Sequence, residues 1–411
     1  MKGQIRIEDG AFRKESGFEV VERKGKGHPD TLSDELAERL SRRYSKYTKS
    51  EYGAILHHNF DKVGILGGHS DIRLGRGKLT SPLRVLLNGR ATGVFGDETI
   101  PIRELLINTT ESFLTERFPM LDPDEDIDIH NNLSTASSPG EVQDNSLEEG
   151  RREFWFSPRD LDDLKERHHL ASNDTSHGCG FAPLSETEQF VREVEEWLNS
   201  ESYNSSKEWL GNDIKLMCVR DQSDISMTAA IPQIADVVPD VETYKANLSN
   251  IESEIREKAD ELIPEYDFSL QTNNRDNYET GELYLTAIGS SIESGDEGLV
   301  GRGNRTNGLI TPARPMSIEG QCGKNPVYHI GRIYNIAARR VAERVHDITG
   351  FGAEVHLVSQ TGRTLTDPWK TIVTVDGDDY DREQLSTEVR EELESIPEIT
   401  DDWLENGVRM F

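Results

Sequence analysis

The residues best placed to do chemistry lie at positions 295–335, GDEGLVGRGNRTNGLITPARPMSIEGQCGKNPVYHIGRIYN. Positions 300–340 carry seven cations (Arg302, Arg305, Arg314, Lys324, Arg332, Arg339 and Arg340) against one anion, Glu319, in a chain of formal net charge −30. Glycine lets backbone approach a ligand closely, and arginine forks onto phosphate oxygens. The mixture suits a polyphosphate. A solvated basic face is the plainer reading of the same charges. Lys324, in Gly323-Lys324-Asn325-Pro326, resembles a phosphate-binding lysine but lacks the P-loop spacing. No GxGxxG follows a strand, so a dinucleotide fold is not supported. His329 and Arg332 stand one turn apart on an expected helix, within reach of one ligand.

Gly27-His28-Pro29-Asp30 opens a second candidate. Pro29 holds His28 extended and fixes the turn into a helix. His28 then lies beside a helix N-terminus, where partial positive charge favours an anion. Asp30 is either the helix cap or a Mg²⁺ ligand bridging to phosphates. A third stretch, Asp174-Thr-Ser-His-Gly-Cys-Gly-Phe-Ala-Pro, pairs small residues with an acid that can take a hydroxyl or an amine. A glycine-rich turn accounts for it equally.

These motifs need elements to hold them. A strand over 18–22 runs into the GHPD loop, and Leu32, Leu36, Leu40 and Tyr44 at four-residue steps predict a helix over 31–47. Strand, turn, strand is expected over 54–68, a strand over 83–87 and a helix over 102–118. Segment 122–146 reads mostly as loop. Paired strands at 214–220 and 225–231 precede a helix over 241–262. A strand at 283–288, a helix over 326–344, strands at 354–359 and 370–375 and a helix over 384–393 complete the pattern. Hairpin-like pairs outnumber lone strands between helices, which points to α+β rather than a doubly wound sheet.

At 411 residues the chain predicts two or three domains. Fifteen lysines and 31 arginines face 76 acids. That balance disfavours nucleic acid and anionic membranes, and it suits a protein kept soluble in high salt. Three distant cysteines argue against disulfides and a zinc site. Without a signal-like start or an apolar run of membrane length, the expected location is cytoplasmic.

The chain resembles the S-adenosylmethionine synthetases (methionine adenosyltransferases), specifically their archaeal branch. The resemblance rests on ERKGKGHPDTLSDELAE, ILHHNFDKVGILGG, VLLNGRAT, NDTSHGCGFAPLSETE, IKLMCVR, SGDEGLVGRGNRTNGLITPARPMS, GKNPVYHIGRIYN and VSQTG, in family order over residues 19–375. It implies that methionine sulfur attacks the ribose C5′ of ATP. The triphosphate leaves and is hydrolysed to pyrophosphate and phosphate, with Mg²⁺ and K⁺. The catalytic roles fall on His28, Arg302 and Lys324, and the Mg²⁺ ligand on Asp30. Asp296 falls near methionine, and Asp174 near the ribose or the methionine amine. Arg305 and His329 become phosphate ligands, and Asp61 holds a cation or methionine.

The implied fold is three similar α+β domains around a pseudo-threefold axis, with flat sheets packing at a dimer interface. A homodimer or larger follows, each site lined by both chains. Approximate domains are 1–125, 126–270 and 271–411, interleaved in sequence. Three departures stand out from the family pattern. Positions 131–140 replace a loop tied to methionine and nucleotide binding. His177 stands where phenylalanine is usual, and Lys26 adds a cation beside the phosphates. They leave open a divergent paralogue that binds ATP or S-adenosylmethionine without catalysis, or that uses a methionine analogue.

Overall fold

A computed structural model describes residues 3–10, 17–135, 156–164 and 169–407. Its three four-stranded sheets are built from β1 (Gln4–Asp9), β2 (Phe18–Lys24), β3 (Gly64–Leu66), β4 (Leu83–Leu87), β5 (Ile127–Asn131), β6 (His177–Ala182), β7 (Lys215–Asp221), β8 (Asp224–Ala230), β9 (Asp267–Thr272), β10 (Glu297–Leu299), β11 (Ala353–Val358) and β12 (Lys370–Val375). The long helices are α1 (Pro29–Tyr52), α2 (Ile102–Arg117), α3 (Glu186–Leu198), α4 (Val241–Leu262), α5 (Ile330–Thr349) and α6 (Arg382–Glu394), and α7 (Glu398–Asn406) follows.

The strand orders are β5-β4-β3-β10, β9-β8-β7-β2 and β1-β12-β11-β6. In every sheet the first pair is parallel and the next two are antiparallel. Each sheet has its own buried apolar cluster under two helices: α1 and α2, α3 and α4, α5 and α6. The units are linked by exchange. Edge strand β2 of the second sheet leads into α1, which packs on β10 of the first. Edge strand β6 of the third leads into α3, which packs on β2 of the second. Edge strand β10 of the first leads, through the basic segment, into α5 on β6 of the third. The connectivity is cyclic and therefore threefold.

Local chemistry explains the helices that matter for the site. Leu32, Leu36, Leu40 and Tyr44 are all fully buried, so the predicted stripe is the face α1 turns to the core. The helix outruns its expected limits at both ends. Pro29 is tolerated at the first position, and the helix stops only at Gly53, whose φ of 75° gives the left-handed cap. Residues 127–131, expected as loop, form β5, with Ile127 and Ile129 facing the first core. Residues 136–146 of that segment lie outside the described residues.

The expected helix over 326–344 starts later, at Ile330, and Arg332 does not face a ligand. It is fully buried, donates to Glu38 at 2.7 Å and to the Lys324 carbonyl at 2.9 Å, and stacks on Trp403. Trp403 Nε1 also donates to Glu38, so one ion pair fastens α1, α5 and α7 together. All three cysteines are free and buried. Among the described residues no helix is long and apolar enough to cross a membrane.

Breaking a buried pair strands a charge. Glu38→Gln should therefore cost about 3–5 kcal/mol of unfolding free energy, read as a shift in the urea midpoint. A shift worth under about 1 kcal/mol would show that the pair is dispensable.

Candidate active site

The GHPD turn does what its proline requires, with one correction. His28, not Asp30, is the N-cap of α1: its backbone is extended (φ −65°, ψ 134°) and its Nδ1 accepts the Asp30 N–H at 3.2 Å. Burial lowers the His28 pKa, opposed by nearby Asp213. The ring is neutral near pH 7, and an accepting Nδ1 leaves its proton on Nε2 as a donor. Asp30 sits inside the first turn, 5% exposed. One oxygen takes Lys24 Nζ at 2.8 Å, and the other takes the Leu299 N–H at 3.1 Å. Arg302 Nε stands 3.8 Å from that second oxygen, with 68% of its side chain exposed.

Segment 287–303 is fastened by buried acids. Glu293 accepts the Ala287 and Ile288 N–H groups. Asp213 accepts the Ser291 N–H at 2.8 Å and its hydroxyl at 2.6 Å. Asp34 accepts the Gly301 N–H at 2.7 Å and the Gly303 N–H at 3.1 Å. The Gly301 and Gly303 amides thus point into the protein, not outward. The segment's glycines serve contact with α1 instead. A Cβ on Gly298 would stand 1.8 Å from the Pro29 carbonyl, and one on Gly303 would stand 2.3 Å from Asp34. What this loop leaves exposed is the Arg302 side chain.

The structure sorts the predicted residues into groups. His28, Asp30 and Arg302 share the start of α1. Asp296, exposed, joins them through Ser291, whose hydroxyl lies 3.1 Å from Asp296 and also donates to Asp213. Lys324 and Asp61 form a second group. Lys324 Nζ, 4% exposed, meets Glu319 at 2.5 Å and Asp61 at 3.8 Å. His329 caps α5, and burial followed by the Lys324 charge holds its pKa well below the usual range. Arg305 donates to the Gly301 carbonyl from behind the loop. Asp174 is exposed and caps Thr175 at 2.7 Å beside Ser359. Among the described residues, no hydrogen bond or ion pair joins the His28 group to the Lys324 group.

Two departures land elsewhere than expected. Lys26 points to the Asn199 carbonyl at 3.4 Å rather than to the site. His177 stacks on His356, nitrogen to nitrogen at 2.9 Å. Of positions 131–140, residues 136–140 lie outside the described residues.

Four residues were not singled out from sequence. Lys24 neutralises Asp30, and Lys215 sits directly opposite Lys24 in the β2–β7 register. Asp213 faces His28, and Asp34 clamps the loop. A usable signal existed only for Lys24, beside GHPD. Among the described residues no three His, Cys, Asp or Glu side chains come together as a metal cluster. Asp30 therefore fits Mg²⁺ only in the mode in which one carboxylate and substrate phosphates share the ion.

Three helix-covered sheets in cyclic exchange, with a capped helix start carrying His28 and an exposed Arg302 where two of them meet, define an α+β protein of threefold design. Residues 4–409 match the model of the S-adenosylmethionine synthetase (AdoMet synthetase) family, and the chain belongs to that family. The S-adenosylmethionine synthase of Sulfurisphaera tokodaii is 36% identical over 96% of this chain and 95% of its own. That of Aeropyrum pernix is 38% identical over 92% and 89%, and that of Haloarcula marismortui 36% over 97% and 96%. A solved structure described as an unusual S-adenosylmethionine synthetase from Campylobacter jejuni superposes with a TM-score of 0.58. It covers 93% of this chain and 94% of its own at 14% identity, a likeness of fold.

Burial pushes both Asp34 and Glu293 up to about 7. Both folded values lie above the unfolded carboxylate range of about 4, so the folded state holds extra protons between about pH 4 and 7. These groups therefore make stability fall as pH rises through that window. Glu293→Gln should flatten part of the fall, seen as urea midpoints at about pH 4.5 and 7.5 that differ less than in the wild type. An unchanged difference would count against this account.

Proposed function

We propose that this chain makes S-adenosyl-L-methionine from ATP and L-methionine at a site that two copies complete. The observation that carries the mechanism is the neutral His28 at the start of α1, flanked by Lys24, Asp30 and Arg302. Sulfur attacks the ribose C5′ and the C5′–O bond breaks, so negative charge collects on the bridging oxygen of the leaving triphosphate. Donors fixed beforehand at that oxygen lower the barrier without reorganising. His28 supplies an Nε2–H there, the helix start supplies partial positive charge, and Arg302 supplies a mobile fork. Asp296 lies where the methionine amine can be held. Asp30 would help hold Mg²⁺, which would offset phosphate charge when bound, and K⁺ is expected alongside it. Triphosphate hydrolysis to pyrophosphate and phosphate follows.

Lys324, Asp61 and His329 serve the same site from the second copy, with Arg305 and Asp174 as further substrate contacts. A homodimer or larger assembly is supported by the sheet faces turned away from the helices. Leu299 there is 48% exposed and packs across Gly64, and Leu66 and Leu86 lie half-buried on the same face. The acidic remainder keeps the enzyme soluble in a salt-rich cytoplasm.

The direct test incubates the chain with ATP, Mg²⁺, K⁺ and methionine at low and high salt. S-adenosylmethionine should appear together with pyrophosphate and phosphate; ATP binding without product at every salt sinks the reading. Arg302→Ala should lose about 10²–10³ in kcat, as removal of a single oxyanion donor does elsewhere. Lys324→Ala should impair triphosphate handling while the chain stays folded.

Sharing of each site between copies has its own test. His28→Ala and Lys324→Ala chains, each inactive alone, are co-expressed. Random pairing leaves one intact site in each mixed dimer and restores about a quarter of wild-type activity. No recovery places both groups in one copy.

A further inference from the structure

We infer that Asp34 is a positioning residue for Arg302: its two carboxylate oxygens hold the amides on either side of that arginine. The inference rests on the proposed function and adds a residue to which nothing in the family comparison assigns a role.

Asp34 is 1% exposed, and both of its oxygens are taken by backbone N–H groups. Among the described residues no Lys or Arg nitrogen lies within ion-pair distance of it, unlike Asp30, which has Lys24. Arg305 offsets part of its charge from beyond that distance, and the buried carboxylate still needs hydrogen bonds to replace the lost water. Its bonds have a specific distribution. Oδ1 takes the Gly301 N–H at 2.7 Å, and Oδ2 takes the Gly303 N–H at 3.1 Å. Arg302 is the residue between them.

Asp30, four residues earlier on the same face of α1, takes the Leu299 N–H. The two acids thus catch amides 299, 301 and 303 around a turn, in which Gly301 has a φ of 89° and the Arg302 N–H donates to the Leu299 carbonyl. Backbone on both sides of Arg302 is pinned, while the guanidinium itself stays largely exposed. A side chain that must meet charge developing in a transition state gains from an anchored root and a free head. Gly303 belongs to the same device, because any side chain there would collide with Oδ2.

The test is a double-mutant cycle between Asp34→Asn and Arg302→Ala. The amide keeps the size of the carboxylate but offers only one acceptor. Asp34→Asn should lower kcat by about 10- to 100-fold, as loss of a supporting hydrogen-bond partner does at other sites. The methionine KM should hold. In the Arg302→Ala background the same change should cost nothing further. An equal loss in both backgrounds overturns the proposal, and so does full activity in Arg302→Ala.

If Asp34→Asn does not fold, Gly303→Ala takes its place in the cycle. It keeps the carboxylate and displaces the loop, and the same absence of additivity is expected. The cycle is also read as tripolyphosphate binding by calorimetry, which needs no turnover. Product formation failing in the wild type while the binding cycle shows coupling refutes the proposed function and leaves the positioning role standing.

Discussion

Segment 287–303 has little regular structure, yet about half of it is buried, in part against α1 and β3. Backbone N–H groups placed there must find acceptors. Glu293, Asp213, Asp30 and Asp34 provide them, one after another along the segment. A chain with 76 acids has turned a few inward, and the site depends on those few. Each desolvated carboxylate is tolerable because it accepts N–H bonds to its charged form, and a segment with so many such bonds has few alternative conformations. Arg302 and Asp296 both lie on the segment these acids hold.

The exchange of edge strands explains why the chemistry gathers at one junction. β2 belongs to the second sheet and hands the chain to α1 of the first unit, so the GHPD turn lies on the seam between them. β7 brings Lys215 and Asp213 from the second unit, and β10 brings Asp296 and Arg302 from the first. Ser290 closes the seam by donating to the Gly27 carbonyl at 2.6 Å. A site assembled this way draws on rigid elements of two cores, and its geometry is set by packing rather than by loop conformation.

Much of this could be read from residue order. The Leu32–Tyr44 stripe, the GHPD turn and the β7–β8 hairpin follow from local periodicity and proline chemistry, which tertiary structure leaves intact. The glycine block was legible as a site but not in its workings. Spacing alone cannot tell glycines that receive a phosphate from glycines that let a strand lie on a helix. Arg332 misled for a related reason: a buried, paired arginine and a ligand-facing one share the same position on a helix. β5 was hidden because its partner, β4, is forty residues away and parallel, while its outward residues are polar. Asp34 and Asp213 carry no local signal at all; only the fold shows which of so many acids are buried.

The pairing of β1 with β12 has a consequence for synthesis of the chain. Gln4–Asp9 leaves the ribosome long before its partner, Lys370–Val375, which lies more than 350 residues further along the chain. The third sheet therefore cannot close on its parallel edge until the intervening chain has been made, and parallel, distant pairing is slow to form. Through that interval Ile5 and Ile7 are exposed on an unpaired strand, an invitation to aggregate. Arg6, Glu8 and Asp9 alternate with or follow them, so the waiting strand carries its own charged guards until its neighbour arrives.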